Sequence, residues 1–163
     1  YTTDQTWVTQ LAPQIKNDLA ESGIDVDIQS MKSSALYPSI TDKDGADFSM
    51  VLAPGDPSVF GNDPDLLMNW WYGDNVWTKQ RTFWKGSEGY DELHDLMGKA
   101  LSASSDAERQ DYWNQCFDLL SEQVPLYPLF HRKVSTAVKK GVFDEYKTMG
   151  TTGLNLVQAK VAQ

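Results

Sequence analysis

A chain of 163 residues with 40% apolar residues and 12% aromatics has enough material for one buried core, which excludes disorder of the whole. Its 23 acidic against 14 basic residues, a formal charge of -9, argue against a nucleic-acid or anionic-membrane partner, because those surfaces need a basic field. One cysteine, Cys116, excludes an intrachain disulfide, and no run of apolar residues is long enough to cross a membrane.

In chain order, residues 1–3 read as a first strand. Val8, Leu11, Ile15 and Leu19 then recur at helical spacing, with Asp4 placed to cap the start and Gly23 at the left-handed position after the end. Pro13 is expected near the first turns of that helix. Asp25, Val26, Asp27, Ile28 and Gln29 alternate at period two, so a second strand follows and a β-α-β unit with parallel pairing is predicted. A short helix is expected at residues 35–40 and a polar turn at Asp42, Lys43, Asp44 and Gly45. Phe48 to Leu52 is apolar throughout and reads as a strand buried on both faces.

The composition turns to Gly, Pro, Asp and Asn at residues 53–65, which predicts an irregular loop leaving the carboxyl end of a buried strand, a usual place for ligands. A short helix at residues 65–71 and an irregular stretch at 72–89 come next. Tyr90, Leu93, Met97, Ala100 and Leu101 define an amphipathic helix. Ser105 and Glu108 form a capping box opening another, with Trp113, Cys116, Phe117, Leu120 and Val124 on its face and Pro125 ending it. Residues 126–130 and 134–138 read as short strands. The fold class expected is thus α/β, a single lobe over residues 1–163 with a mixed sheet and flanking helices.

Most chemistry lacks its parts. His94 and His131 stand alone, without metal-ligand spacing, and neither a nucleophile elbow nor a phosphate-binding glycine loop is present. No metal, cofactor or catalytic residue is assigned, and the chain reads as a binding protein rather than an enzyme. Cys116, among apolar neighbours, reads as a buried hydrophobe.

Trp70, Trp71, Tyr72, Trp77, Phe83 and Trp84 place six of 19 aromatics within 15 residues, where even scatter would put fewer than two. Asp74, Asn75, Lys79, Arg81 and Lys85 are interleaved with them. Rings with polar tips beside charges suit a small-ligand or peptide site, and the same rings also suit a core that anchors a long loop. Trp71, Tyr72, Asn75, Trp77 and Arg81 are the site candidates, with Phe83 assigned to the core. Asp56, in the loop beyond the apolar strand, adds a carboxylate able to meet an ammonium or hydroxyls. It also suits an aspartate organising its own turn. His131 and Arg132 follow the strand at residues 126–130, where a structural capping role is the simpler reading.

Several segments, taken in order, resemble the C-terminal lobe of the peptide/oligopeptide-type (family 5) extracellular solute-binding proteins of ABC importers. They are Leu19 to Val26 around the Gly23-Ile24 turn, Asp56, Asn75, Tyr90-Asp91-Glu92-Leu93, Glu108-Arg109, and Val124-Pro125-Leu126-Tyr127-Pro128-Leu129. The resemblance runs from Thr2 to about Val142 and implies a periplasmic-binding-protein-like lobe, the C-terminal piece of a larger two-lobed protein. It further implies an N-terminal lobe as partner, ABC permease transmembrane subunits as docking target, and an extracytoplasmic location, periplasmic or lipid-anchored. Asp56 would meet the ligand's amino terminus. Ala53 stands where the family has a loop tryptophan and the loop from Asp56 to Pro64 is longer than usual, so the implied ligand widens from peptides to sugars, glutathione, nickel complexes or other solutes. The alternative is a glycoside-active enzyme or carbohydrate-binding module using the Trp-rich segment and carboxylates.

Overall fold

The computed structural model describes residues 1–55, 63–130, 137–145, 147, 157 and 159–161. Its centre is a helical hairpin. Ser87 caps α4 (Glu88–Ser102) by accepting from the Tyr90 amide at 3.1 Å, and Ser105 caps α5 (Asp106–Gln123) by accepting from the Glu108 amide at 3.2 Å. Only three residues join the helices, so they return antiparallel. At the far end Gly89 lies against the Gln123 side chain, where a Cβ would sit 2.9 Å from Gln123 Cδ.

Leu93, Leu96, Met97 and Ala100 of α4 meet Trp113 and Cys116 of α5, and Met68, Trp84 and Tyr90 complete one buried cluster. Met68 comes from α3 (Pro64–Tyr72), which Asp63 caps by accepting from the Asp65 amide. Two polar ties hold α3 in place: Arg109 donates to both Asp63 oxygens at 2.9 Å, and His94 Nε2 lies 2.9 Å from the Tyr72 carbonyl. A carbonyl can only accept, so Nε2 carries the proton.

The N-terminal stretch is built differently. α1 (Thr6–Glu21) ends in a Schellman motif, with Gly23 at φ 81, its amide bonded to the Ala20 carbonyl and the Ile24 amide to the Leu19 carbonyl, each at 3.0 Å. Pro13 sits in the middle of α1 rather than near its start. It lies on the exposed side, where water can satisfy the carbonyl one turn earlier. Asp4 caps a different helix from the one expected: its carboxylate accepts at 2.7 Å from the amide of Ser33, the first residue of α2 (Ser33–Leu36). α2 runs into a π-turn, Tyr37–Thr41.

The expected α/β lobe with a mixed sheet is not formed. Thr2 and Met31 make one isolated parallel bridge, so the crossover over α1 closes, but no ladder grows from it. The strand pairing among the described residues is a short antiparallel ribbon, β1 (Phe143–Glu145) with β2 (Lys160–Val161), irregular in register and joined by a 2.8 Å Lys160–Glu145 ion pair. Residues 25–29 and 48–52 form no strand, and Met50 is 58% exposed instead of buried on both faces. Period two decides which side chains turn inward. A sheet also needs a neighbouring strand in register, which no local pattern supplies.

Residues 126–130 likewise form no strand, nor do 137 and 138, and 134–136 lie outside the described residues. The helix expected at residues 35–40 is part α-helix and part π-turn. On α5, Trp113 and Cys116 are buried as expected, whereas Phe117 is 41% exposed. Glu108 does not close the capping box on Ser105. Its carboxylate accepts instead from the amide and hydroxyl of Ser104, both at 2.9 Å.

Candidate ligand-binding site

Residues 73–87 leave α3, make a second π-turn at Trp77–Arg81, and enter α4. Asn75 organises the exit. Its Nδ2 donates to the Asn69 and Trp70 carbonyls at 2.8 and 3.0 Å, in the last turn of α3, and its Oδ1 accepts from the Trp77 amide at 2.8 Å. All three bonds serve the turn itself. Thr78, fully buried, donates to the Gly73 carbonyl at 2.6 Å, and the Lys85 amide donates to the Thr78 carbonyl at 2.9 Å. The segment is thereby fixed by side chains as much as by backbone.

Arg81, at the end of this turn, reaches back 39 residues to Asp42, which closes the first π-turn. Nε donates to Oδ1 at 2.8 Å and Nη2 to Oδ2 at 2.7 Å, the bidentate geometry of a planar guanidinium on a carboxylate. The guanidinium carbon lies 3.9 Å from the Tyr37 ring centre and 4.3 Å from that of Trp77, so aromatic faces pack against the cation. Thr41 adds a 2.7 Å bond to Asp42 Oδ1. The bonds from Arg81 hold the Asp42 carboxyl below its ordinary range; burial pushes it upward less strongly, and the bond from Thr41 adds a smaller lowering. Tyr37 and Trp77 are also the residues whose carbonyls accept the wide i+5 bonds of the two turns, from Asp42 at 2.7 Å and Thr82 at 2.8 Å.

Trp71 extends the array. Its ring lies 4.4 Å from that of Trp77 and rests on the backbone of Gly55, where a Cβ would meet Trp71 Cζ2 at 2.8 Å. Gly55 has no side chain to intervene, and this contact carries the loop before Asp56 onto the aromatic platform. Asp56 itself lies outside the described residues, as do His131 and Arg132.

Of the candidates, Trp71, Trp77 and Arg81 come together in one cluster. Tyr72 faces the other way, edge-on to Trp84 at 6.2 Å and against the hairpin core, and burial raises its phenol pKa. Phe83, expected in the core, is 55% exposed at φ 53 and packs on Phe48 at 5.4 Å. Its place inside is taken by Trp84, whose indole nitrogen is buried without a partner among the described residues. Beside the cluster, Asp74 accepts from Lys85 at 2.5 Å and Lys79 at 3.1 Å, and those two bonds bring its carboxyl down to about 2.

Asp42 and Tyr37 escaped the sequence reading. Asp42 reads as a turn residue, and nothing in a single sequence pairs it with an arginine 39 positions later. Among the described residues no group of three or more His, Cys, Asp or Glu could hold a metal ion, and no helix is long and apolar enough to cross a membrane. In comparisons with known proteins, no family model and no curated protein matches the chain.

Proposed function

We propose that the chain is a ligand-binding lobe of an ABC-importer solute-binding protein, presenting one wall of a cleft to a peptide or other small solute and acting by binding and closure, without bond-making. The observation that carries this reading is the packing of Trp71 on Gly55. It lays the half-buried Trp71 ring against the backbone at Gly55, one residue before Asp56 in the sequence; in this proposal the ring offers flat contact area and Asp56 the carboxylate for an ammonium or hydroxyl group. The ordered segments from the Gly23 turn to Pro128 support the same reading from the sequence side. The expected mixed sheet does not contribute to it.

In this proposal a second lobe supplies the remaining contacts, hinge closure buries the solute, and the closed form docks on transmembrane permease subunits outside the cytoplasm. One wall offers roughly half the contacts, so isolated affinity is weak. Titrating the chain with tripeptides, N-acetylated tripeptides and oligosaccharides while following the Trp71 indole resonance tests it. Saturable shifts of millimolar strength are expected, larger for free-amine peptides than acetylated ones if Asp56 takes the amino terminus. Turnover on a glycoside panel, abolished by one Asp or Glu substitution, would refute the proposal and favour a carbohydrate-active enzyme.

A further inference from the structure

Arg81 is held as a bound ligand would be. One carboxylate takes two of its parallel N–H donors, Tyr37 and Trp77 present faces to its guanidinium, and Thr41 steadies the carboxylate from behind. These are the elements by which proteins recognise guanidinium groups of other molecules: a bidentate anion and a pair of aromatic faces. The site lies near the surface, with 11% of the Arg81 side chain and 23% of the Asp42 side chain exposed. The chain's charge of -9 draws cations toward it.

We propose that Tyr37, Trp77 and Asp42 form a guanidinium-accepting site that the chain fills with its own Arg81, so that a solute bearing a guanidinium group competes for the same three residues. Arg81 is then an internal occupant, and withdrawing it opens a site of defined chemistry between the two π-turns. This does not depend on the importer reading, because it concerns only what these three side chains accept.

The experiment uses the full chain carrying Arg81→Ala, with methylguanidinium as probe and urea as its neutral planar counterpart. Isothermal titration is expected to show saturable binding of methylguanidinium to the variant and none of urea. Adding Asp42→Asn is expected to weaken it by about tenfold or more, since the bidentate charged contact is lost. The unsubstituted chain, its site already filled, is expected to bind the probe about tenfold more weakly but still saturably, as competition with Arg81 requires. Should Arg81→Ala prove unfolded, millimolar methylguanidinium is expected to restore its helical circular dichroism where urea does not. The proposal is overturned by absence of saturable binding or of refolding, by equal affinity in the double variant, or by equal affinity in the unsubstituted chain.

Discussion

The hairpin of α4 and α5 and the stretch before residue 56 belong to one chain but are stabilised by different physics. The hairpin buries a continuous apolar seam, in which Leu93 and Cys116 are wholly inaccessible and Trp113 nearly so. The N-terminal stretch buries little beyond Val8, Ala12 and Leu36 and is fastened by discrete contacts: Arg81 on Asp42, Trp71 on Gly55, Phe83 on Phe48, Trp7 edge-on to Phe130. Non-directional burial tolerates small displacements, whereas a bidentate ion pair or a ring on a glycine does not. The hairpin is therefore the body of the molecule, and the candidate site lies on the segment between α3 and α4, to which the other region is pinned.

The largest effect separating the regions belongs to the hairpin. Trp113→Ala removes the largest wholly enclosed side chain and is expected to cost about 3–5 kcal/mol, measured by urea unfolding followed by far-UV circular dichroism. A loss below about 1 kcal/mol would mean that the seam is not the principal core. Cys116 reports on the same region: burial pushes its thiol up to about 11, so it should resist thiol reagents until the hairpin unfolds.

What the sequence made legible follows the same division. Helical periodicity is local, and Tyr90, Leu93, Met97 and Ala100 name their own face, so α1, α3, α4 and α5 could be placed from residues alone. Val26 and Ile28 alternate just as clearly, and they are half-buried while Asp25, Asp27 and Gln29 are exposed. The inference failed one step later, because alternation says nothing about whether a second strand lies alongside. The site was legible as a region: Trp71, Trp77 and Arg81 do converge. Their roles were not, since Asn75 spends its hydrogen bonds on the end of α3, Tyr72 turns to the core, and the partner of Arg81 lies 39 residues away.

Next in size comes the pin between the regions. Removing one member of a buried ion pair costs about 3–5 kcal/mol, and exposed pairs contribute about 0–1. Asp42 and Arg81 are partly exposed, so Asp42→Asn is expected to cost about 2 kcal/mol at pH 7. The folded-state pKa of Asp42 is depressed, so its contribution is fully present above the unfolded value of about 3.9 and is lost as pH falls through the lower folded value. The stability difference between the two proteins should accordingly hold from pH 7 to about pH 5 and shrink below about pH 4. A difference independent of pH down to pH 2 would show that the carboxylate charge is not what holds the seam.

Smaller still is the backbone turn that starts the unpaired stretch. Gly23 holds φ 81 and nothing lies within 4 Å of a Cβ built there, so Gly23→Ala creates no collision, only the left-handed strain of a residue with a side chain. About 1 kcal/mol is expected. Gly55→Ala is the opposite case: its φ is unexceptional, but its Cβ would stand 2.8 Å from the Trp71 ring. That ring must move, and Trp77 with it if the 4.4 Å ring contact persists, so the near-ultraviolet circular dichroism of the tryptophans should change more than stability does.

The smallest test compares caps within the hairpin. Ser105 accepts from the Glu108 amide, but the reciprocal bond of a capping box is diverted to Ser104, leaving the Ser105 hydroxyl as the direct cap of α5. Ser105→Ala is then expected to cost about 1 kcal/mol in thermal or urea unfolding, as is Ser87→Ala at the start of α4. Glu108→Gln should matter less, because its exposed carboxylate serves a residue before the helix rather than the helix's own first turn. The bonds to Ser104 lower its pKa, so whatever it contributes is present above the ordinary carboxylate value and fades as pH falls below it. If Glu108→Gln and Ser105→Ala cost the same, the two groups act as one reciprocal box in solution and the diverted geometry is not the one that stabilises α5.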